Sequence, residues 1–154
     1  MAADTGPYLV AALFCEQVIE DKGGSLSFIR IVDRMHVQTQ GPNAPEQMPP
    51  VTLNWNLVLM FKSGQAKGSI AIDIEVEPPS GIRTPKTTMT GYFEGGIRGV
   101  NIITKAAMRF TQSGLYWFRI YVAGQFATAI PAEIIYLRTI TPVPPQPPQI
   151  GGEQ

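Results

Sequence analysis

The stretch Gly114–Leu137, GLYWFRIYVAGQFATAIPAEIIYL, decides how the chain is read. Tyr116, Phe118, Ile120 and Val122 alternate with Leu115, Trp117, Arg119 and Tyr121, the period-two pattern of a strand with two unlike faces. The segment reads as a hairpin whose register follows from its loop. A two-residue loop would set Tyr116 against Glu133 or Pro131. A three-residue loop, Ala123-Gly124-Gln125, instead sets Val122 against Phe126, Phe118 against Ile130 and Tyr116 against Ala132, apolar against apolar. Burial selects this register, because a one-residue slip turns the whole apolar set toward solvent. The other face then holds Leu115, Trp117, Arg119 and Tyr121 opposite Glu133, Pro131, Ala129 and Ala127. Pro131 cannot donate to a ladder, so it marks an edge or a bulge.

Outward from the hairpin, short strands and turn signals continue. In Ser69–Glu77, Ile70, Ile72, Ile74 and Val76 alternate with Ala71, Asp73, Glu75 and Glu77, a half-buried strand. Val51–Lys62 precedes it, with Leu53, Trp55, Leu57, Leu59 and Phe61 on one face, and Ser63–Gly68 reads as the turn between them. Thr87–Phe93 and Val100–Phe110 are further strands around a hairpin turn at Glu94–Gly99. Tyr8–Ile19 and Ser25–Val37 form an N-terminal hairpin about Glu20–Gly24. Thr39–Pro50 holds four prolines and is expected to carry the chain from one sheet to the other. About eight strands at this spacing predict an all-β, antiparallel β-sandwich, immunoglobulin-like or C2-like, over residues 1–141. Barrel closure is the lesser alternative. Residues 142–154, PVPPQPPQIGGEQ, read as a proline-rich flexible tail.

Composition bounds the function. A chain of 154 residues is one domain's worth, and 15 Gly with 14 Pro favour many short elements. Twelve basic and twelve acidic residues cancel, which removes the clustered positive charge that nucleic-acid and anionic-membrane binding need. One cysteine allows no internal disulfide and gives no sign of an oxidising compartment. Tyr8–Cys15, YLVAALFC, has the look of a short signal sequence ending at a lipidated cysteine. Met1–Pro7, however, contains no Lys or Arg, and Phe14 stands where cleavage needs a small residue. A cytoplasmic location is expected.

The opening ALFCEQVIEDKGGSLSFIRIVDRM resembles the start of an uncharacterised bacterial family of small single-domain β-sandwich proteins with no assigned activity. The matching positions are Leu13, Cys15 and Glu16, then Gly24, then Leu26, Phe28 and Ile29. Gly114, Tyr116, Phe118 and Ile120 match the family's later Gly-x-Tyr-x-Phe strand. The likeness covers the first and last quarters of the chain. It implies the sandwich fold and no particular activity.

The chemistry-bearing residues do not assemble. Cys15 and His36 are the only thiol and the only imidazole, so a nucleophile–base pair needs both. In the N-terminal hairpin Cys15 falls near Arg30 and His36 near Leu9, about 20 Å apart along the ladder, whereas a shared proton needs about 3 Å. Cys15 reads as a small core hydrophobe and His36 as a rim residue. One Cys and one His are too few for a zinc site. Asp73, Glu75 and Glu77 lie on one strand face and read as solvated, with neighbouring Lys or Arg as partners; nothing sets a second acid across a cleft from them. The glycines of Glu94–Gly99 follow no βα pattern that could cradle a phosphate. No catalytic residue, metal site or cofactor is expected, and the chain reads as non-enzymatic.

What remains is the face carrying Trp117, Arg119 and Tyr121. Ordinary packing under a loop is the plain reading of it, since large aromatics are mostly buried. The sharper reading is a partner-binding surface, because Trp, Tyr and Arg are enriched at interface hot spots. A structural or interaction module is therefore expected, self-associating through sheet edges or this face, with a protein partner and neither nucleic acid nor membrane. The alternative is a small-ligand or carbohydrate-binding sandwich that stacks on Trp55, Trp117 or Tyr121, with Trp55 more at home in the core stripe.

Overall fold

The computed structural model describes residues 5–142, and every regular element within them is a strand. In chain order these are β1 (Tyr8–Glu20), β2 (Leu26–Val32), β3 (Arg34–Gln40), β4 (Val51–Glu77), β5 (Thr87–Phe110), β6 (Gly114–Val122) and β7 (Gln125–Thr139). They form one sheet in the order β2-β1-β4-β6-β7-β3, with β5 paired to β4 alone. The sheet is curled, because β4 has different neighbours at its two ends. Asn56–Lys62 lies between β1 and β5, whereas Ile72–Ile74 lies between β5 and β6. One layer thus holds β2, β1, the first half of β4 and the second half of β5. The other holds the remaining halves of β4 and β5 with β6, β7 and β3.

Alternation along each strand sends one apolar set into the space between the layers. Phe14 of β1 meets Phe118 of β6 edge-on, with centroids 4.7 Å apart, which joins the two layers at their centre. Phe110 meets Tyr116 in the same way at 4.9 Å, and Phe61 meets Phe93 at 5.6 Å. Trp55, Leu57, Leu59, Ile72, Ile120 and Ile134 fill the rest of this core. Aromatic pairs of this geometry add to the burial of apolar area itself, the leading stabilising term.

The hairpin at the C-terminal side has the expected register along its body: Tyr116 opposes Ala132, Phe118 opposes Ile130 and Arg119 opposes Ala129. Tyr116, Phe118 and Ile120 are buried, as the alternation requires. The tip differs. The ladder shifts after Ile120, Val122 opposes Gln125, and the loop is the two residues Ala123-Gly124. Both have positive φ, 49° and 78°, the geometry of the tight hairpin turn whose twist matches that of the strands. Pro131 lies on the stretch of β7 that β3 does not reach, in keeping with a residue that cannot donate.

Three other expectations are corrected. Ser63–Gly68 is not a reversal: β4 runs through it, and Glu94–Gly99 is likewise part of β5. The two strands stay paired from Val51↔Phe110 to Ile74↔Thr87, with ladder irregularities between Lys62 and Lys67. The breakers on facing strands therefore bend one long ladder together instead of turning the chain back, and the strands number seven. Second, Thr39–Pro50 does carry the chain between layers, from β3 in the second to the first half of β4 in the first. Ser25–Val37, however, is not one strand: it divides at Asp33, where the chain first changes layer. There Glu133 N donates to Asp33 O at 2.9 Å, and β3 departs to run parallel to β7. One parallel pair thus stands in an otherwise antiparallel ladder. Third, Cys15 opposes Ile31, one residue from the expected Arg30, and His36 lies beside Ile135, nowhere near Leu9. The N-terminal turn is as read, with the Asp21 carboxylate accepting from the N–H groups of Gly23 and Ser25. Past Pro142, the proline-rich segment lies outside the described residues.

Candidate functional site

The alternation that turns Ile72, Ile74 and Val76 toward the core, Ile72 fully buried and the other two partly, turns Asp73, Glu75 and Glu77 to the outer face of the second layer. There β6 presents Trp117, Arg119 and Tyr121. The ladder sets Glu77 opposite Trp117, Glu75 opposite Arg119 and Asp73 opposite Tyr121, but the side chains reach diagonally, one pair further on. Arg119 Nε donates to Glu77 Oε2 at 2.9 Å, and Tyr121 OH donates to Glu75 Oε2 at 3.0 Å. The connection from β4 to β5 then folds back over the acids. Thr84 N donates to Val76 O at 2.8 Å, and Val76 N donates to Thr84 Oγ1 at 3.0 Å. That places Arg83 Nε 3.0 Å from Glu77 Oε2 and Arg83 Nη1 3.5 Å from Glu75 Oε2. Thr88 Oγ1 donates to Asp73 Oδ1 from β5.

Charge follows this geometry. The Arg119 guanidinium first, with Arg83 beside it, holds the Glu77 carboxyl below its ordinary value. The hydrogen bond to Glu75 raises the Tyr121 hydroxyl above its own, so it stays a donor. Lys86 Nζ stands 3.8 Å from the centre of the Tyr121 ring, and Phe126 packs edge-on against the same ring at 5.8 Å. Of the acids read from sequence as a solvated face with nearby cations, Glu75 and Glu77 are paired, by Arg83 and Arg119, while Asp73 is held by Thr88. Arg83 was within reach of sequence reasoning, standing six residues after Glu77 across a Pro-Gly turn. Lys86 and Phe126 join the cluster with no comparable signal.

The three residues singled out thus share one face but differ in how far they are engaged. Arg119 and Tyr121 are held by β4. Trp117 is half-buried, and its indole makes no hydrogen bond or ring contact with another described residue. Trp55 is 2% exposed and packs between Phe14 and Phe110, which removes it as a stacking platform.

Cys15 is fully buried, and burial pushes its thiol above the ordinary value. It lies in the first layer between Ile31 and Asn56, while exposed His36 stands in the second beside Ile135. Among the described residues no three His, Cys, Asp or Glu side chains gather to hold a metal ion. No helix among them is long and apolar enough to cross a membrane.

The sheet edges are the other exposed chemistry. Over its 24 residues β5 pairs, among the described residues, with β4 alone, so no described strand covers its second edge in either layer. That strand also presents Ile97 at 91% exposure and Tyr92 at 66%. A shorter open stretch runs where β1 and β7 lie side by side without pairing, around a cleft of about 280 Å³ between Leu9–Ala12 and Ala127–Pro131.

No family model matches the chain, and no curated protein matches its sequence. Among solved structures it is similar to an immunoglobulin-like protein from Pseudomonas aeruginosa, at 10% identity and a TM-score of 0.37, over 86% of this chain and 99% of that one. A likeness at that score carries neither fold nor role. The all-β assignment rests on the strands themselves, and the family resemblance rests on its residues alone.

Proposed function

We propose that the protein is a non-enzymatic, cytoplasmic interaction module that associates with itself or with a protein partner by strand addition, chiefly along β5. The observation that carries this reading is the open edge of that strand. A row of unpaired backbone N–H and C=O groups is a template for another strand, and proteins that avoid such pairing keep their edges short, charged or covered. β5 is long, and between Gly99 and Phe110 it carries only Lys105 and Arg109 as charges. Kinship with the bacterial sandwich family is part of the same reading and adds no activity to it. Light scattering after size exclusion tests the proposal. We expect concentration-dependent association that Ile103→Lys and Ile97→Lys weaken. A strict monomer at high concentration that also binds no partner through this edge would overturn it.

A second contact is favoured by the state of Trp117, which is half-buried and whose indole is unpartnered among the described residues, on the outer face between Glu77 and Pro131. Such a residue, rimmed by the Arg119–Glu77 pair, has the composition of a hot spot. Trp117→Ala should weaken partner capture at least tenfold while leaving the melting temperature within a few degrees. An unchanged affinity would exclude this face.

A further inference from the structure

The outer faces of the two layers differ in kind. That of the second layer carries Asp73, Glu75 and Glu77, with Arg83 and Arg119 paired to the two glutamates. In the first layer the phase that sends Phe14, Leu57 and Leu59 into the core turns the residues between them outward. One row across the strands is then Ile31, Cys15, Asn56 and Lys105, and the next is Leu13, Val58 and Ile103. Ile29 and Met60 extend the patch by a row at either end. Cys15 and Val58 are fully buried yet lie outside the core cluster, so the larger side chains beside them close over them. Those larger groups are left to solvent: Ile31 is 61% exposed, and Ile29 and Ile103 are exposed as well. A sheet face that meets water carries polar residues, and this one has the composition of an inner face.

Size and charge say what covers it. The four rows span about 20 Å along the strands and the four strands about 14 Å across them, or about 400 Å² with the width of the side chains. A patch of that size marks an interaction site, and it supplies the apolar centre of a standard interface, about 800 Å² per partner with a polar rim. Lys105 is the one charge in these rows. Nucleic acid and anionic bilayers need clustered cations, so neither matches it. At the margin Lys105 and Glu20 line one cleft, and neither is in an ion pair among the described residues. A surface with an uncharged centre and both signs at its margin is complementary to itself. We propose that a second copy of the chain covers this face, the two first layers stacking outer face on outer face in an isologous dimer. The contact is made by side chains and needs no strand addition, so it goes beyond the edge pairing proposed above. It reaches β5 through Ile103 and Lys105, and its test is therefore placed on β2.

Sedimentation velocity of the full chain over a range of concentrations tests the proposal. We expect a dimer. Ile31→Lys sets a charge without a partner in the contact and should raise the dissociation constant roughly tenfold or more. Its melting temperature should stay within a few degrees of the native value, because the side chain is exposed in the single chain. Ile29→Lys, one row away, should act in the same way and serves if Ile31→Lys does not fold. Ile31→Leu should leave the dimer intact. So should Ile97→Lys, in the bend of β5 and off this face, whether or not it removes strand addition; the two readings thus fail separately. Amide shifts on dilution should centre on Leu13, Ile31 and Val58. The proposal is overturned if the chain stays monomeric at every concentration, if Ile31→Lys and Ile29→Lys dimerise as the native chain does, or if Ile97→Lys alone abolishes the dimer. It is overturned equally if Ile31 serves instead to bind vesicles of neutral phosphatidylcholine.

Discussion

Arg119 and Glu77 are joined twice, with Nε and Nη2 of the guanidinium both 2.9 Å from Glu77 Oε2. The contact ties β6 to β4 on the outer face, and Arg83 adds a second cation from the loop. It has a definite dependence on pH. Glu77 takes up a proton near its ordinary value of 4.5 in the unfolded chain, but at lower pH in the folded one. Its contribution is therefore complete above the unfolded value and is lost as pH falls through the folded value. Exposed pairs are individually weak and screened by salt. Between roughly pH 5 and 3 the melting temperature of Glu77→Gln should fall less steeply than that of the native chain. The Glu77 carboxyl, followed by NMR, should titrate below 4.5. A midpoint at or above that value would show the pair to be absent in solution.

The bend of β4 depends on close backbone approach at Gly64. Its φ is +59°, and a Cβ added there would stand 2.7 Å from Tyr8 Cε2 and 3.0 Å from Thr5 O. The next residue is fastened to the same segment, since Gln65 N donates to Thr5 O at 2.7 Å. Gly64→Ala thus meets both a left-handed backbone and a filled space. It should lower stability by more than about 1 kcal/mol in a urea titration. A neutral result would mean that the N-terminal segment yields freely and does not brace the bend.

Burial decides the behaviour of Cys15. Its neighbours across the ladder are Ile31 and Asn56, and the raised thiol is a poor nucleophile. A disulfide reagent should leave it untouched in the native chain and modify it fully after unfolding in guanidinium. Prompt modification of the native protein would show that this part of the first layer opens readily, and would return Cys15 to consideration as a reactive group.

Local pattern carried the reading wherever one strand face is buried. Tyr116, Phe118 and Ile120 could be assigned to the core because period two leaves no other arrangement of so many large apolar groups. The same logic isolated the face of Trp117, Arg119 and Tyr121. It failed where a local signal has two outcomes. The glycines near Ser63–Gly68 and Glu94–Gly99 permit a bend as readily as a reversal, and only the ladder between distant strands distinguishes them. Around Asp33 the sequence does not mark the division, for SFIRIVDRMHV keeps no single period-two phase: Phe28 and Val32 lie in one, and Ile29, Ile31, Met35 and Val37 in the other. The partners of Arg119 were hidden for a related reason. β6 pairs with β4 and not with the preceding β5, so Glu75 and Glu77 lie beside it only once the order of strands is known.

The tip of the β6–β7 hairpin offers a gain in stability. Ala123 has a φ of 49°, a conformation in which an L side chain crowds the following carbonyl at a cost of about 1–2 kcal/mol. Asparagine tolerates it better, and Asn-Gly is the favoured pair for a two-residue turn of this kind. The backbone N–H of Ala123, which donates to Ala71 O at 2.9 Å, is kept by any residue but proline. Ala123→Asn should therefore stabilise the chain by about 0.5–1 kcal/mol. For a domain of this size that is a rise of roughly 1–4 °C in melting temperature. Ala123→Val, β-branched and ill-suited to positive φ, should lower it. If Asn lowered it as well, the two-residue turn would not be the one the chain adopts, and the longer loop Ala123-Gly124-Gln125, with Val122 opposite Phe126, would regain its claim.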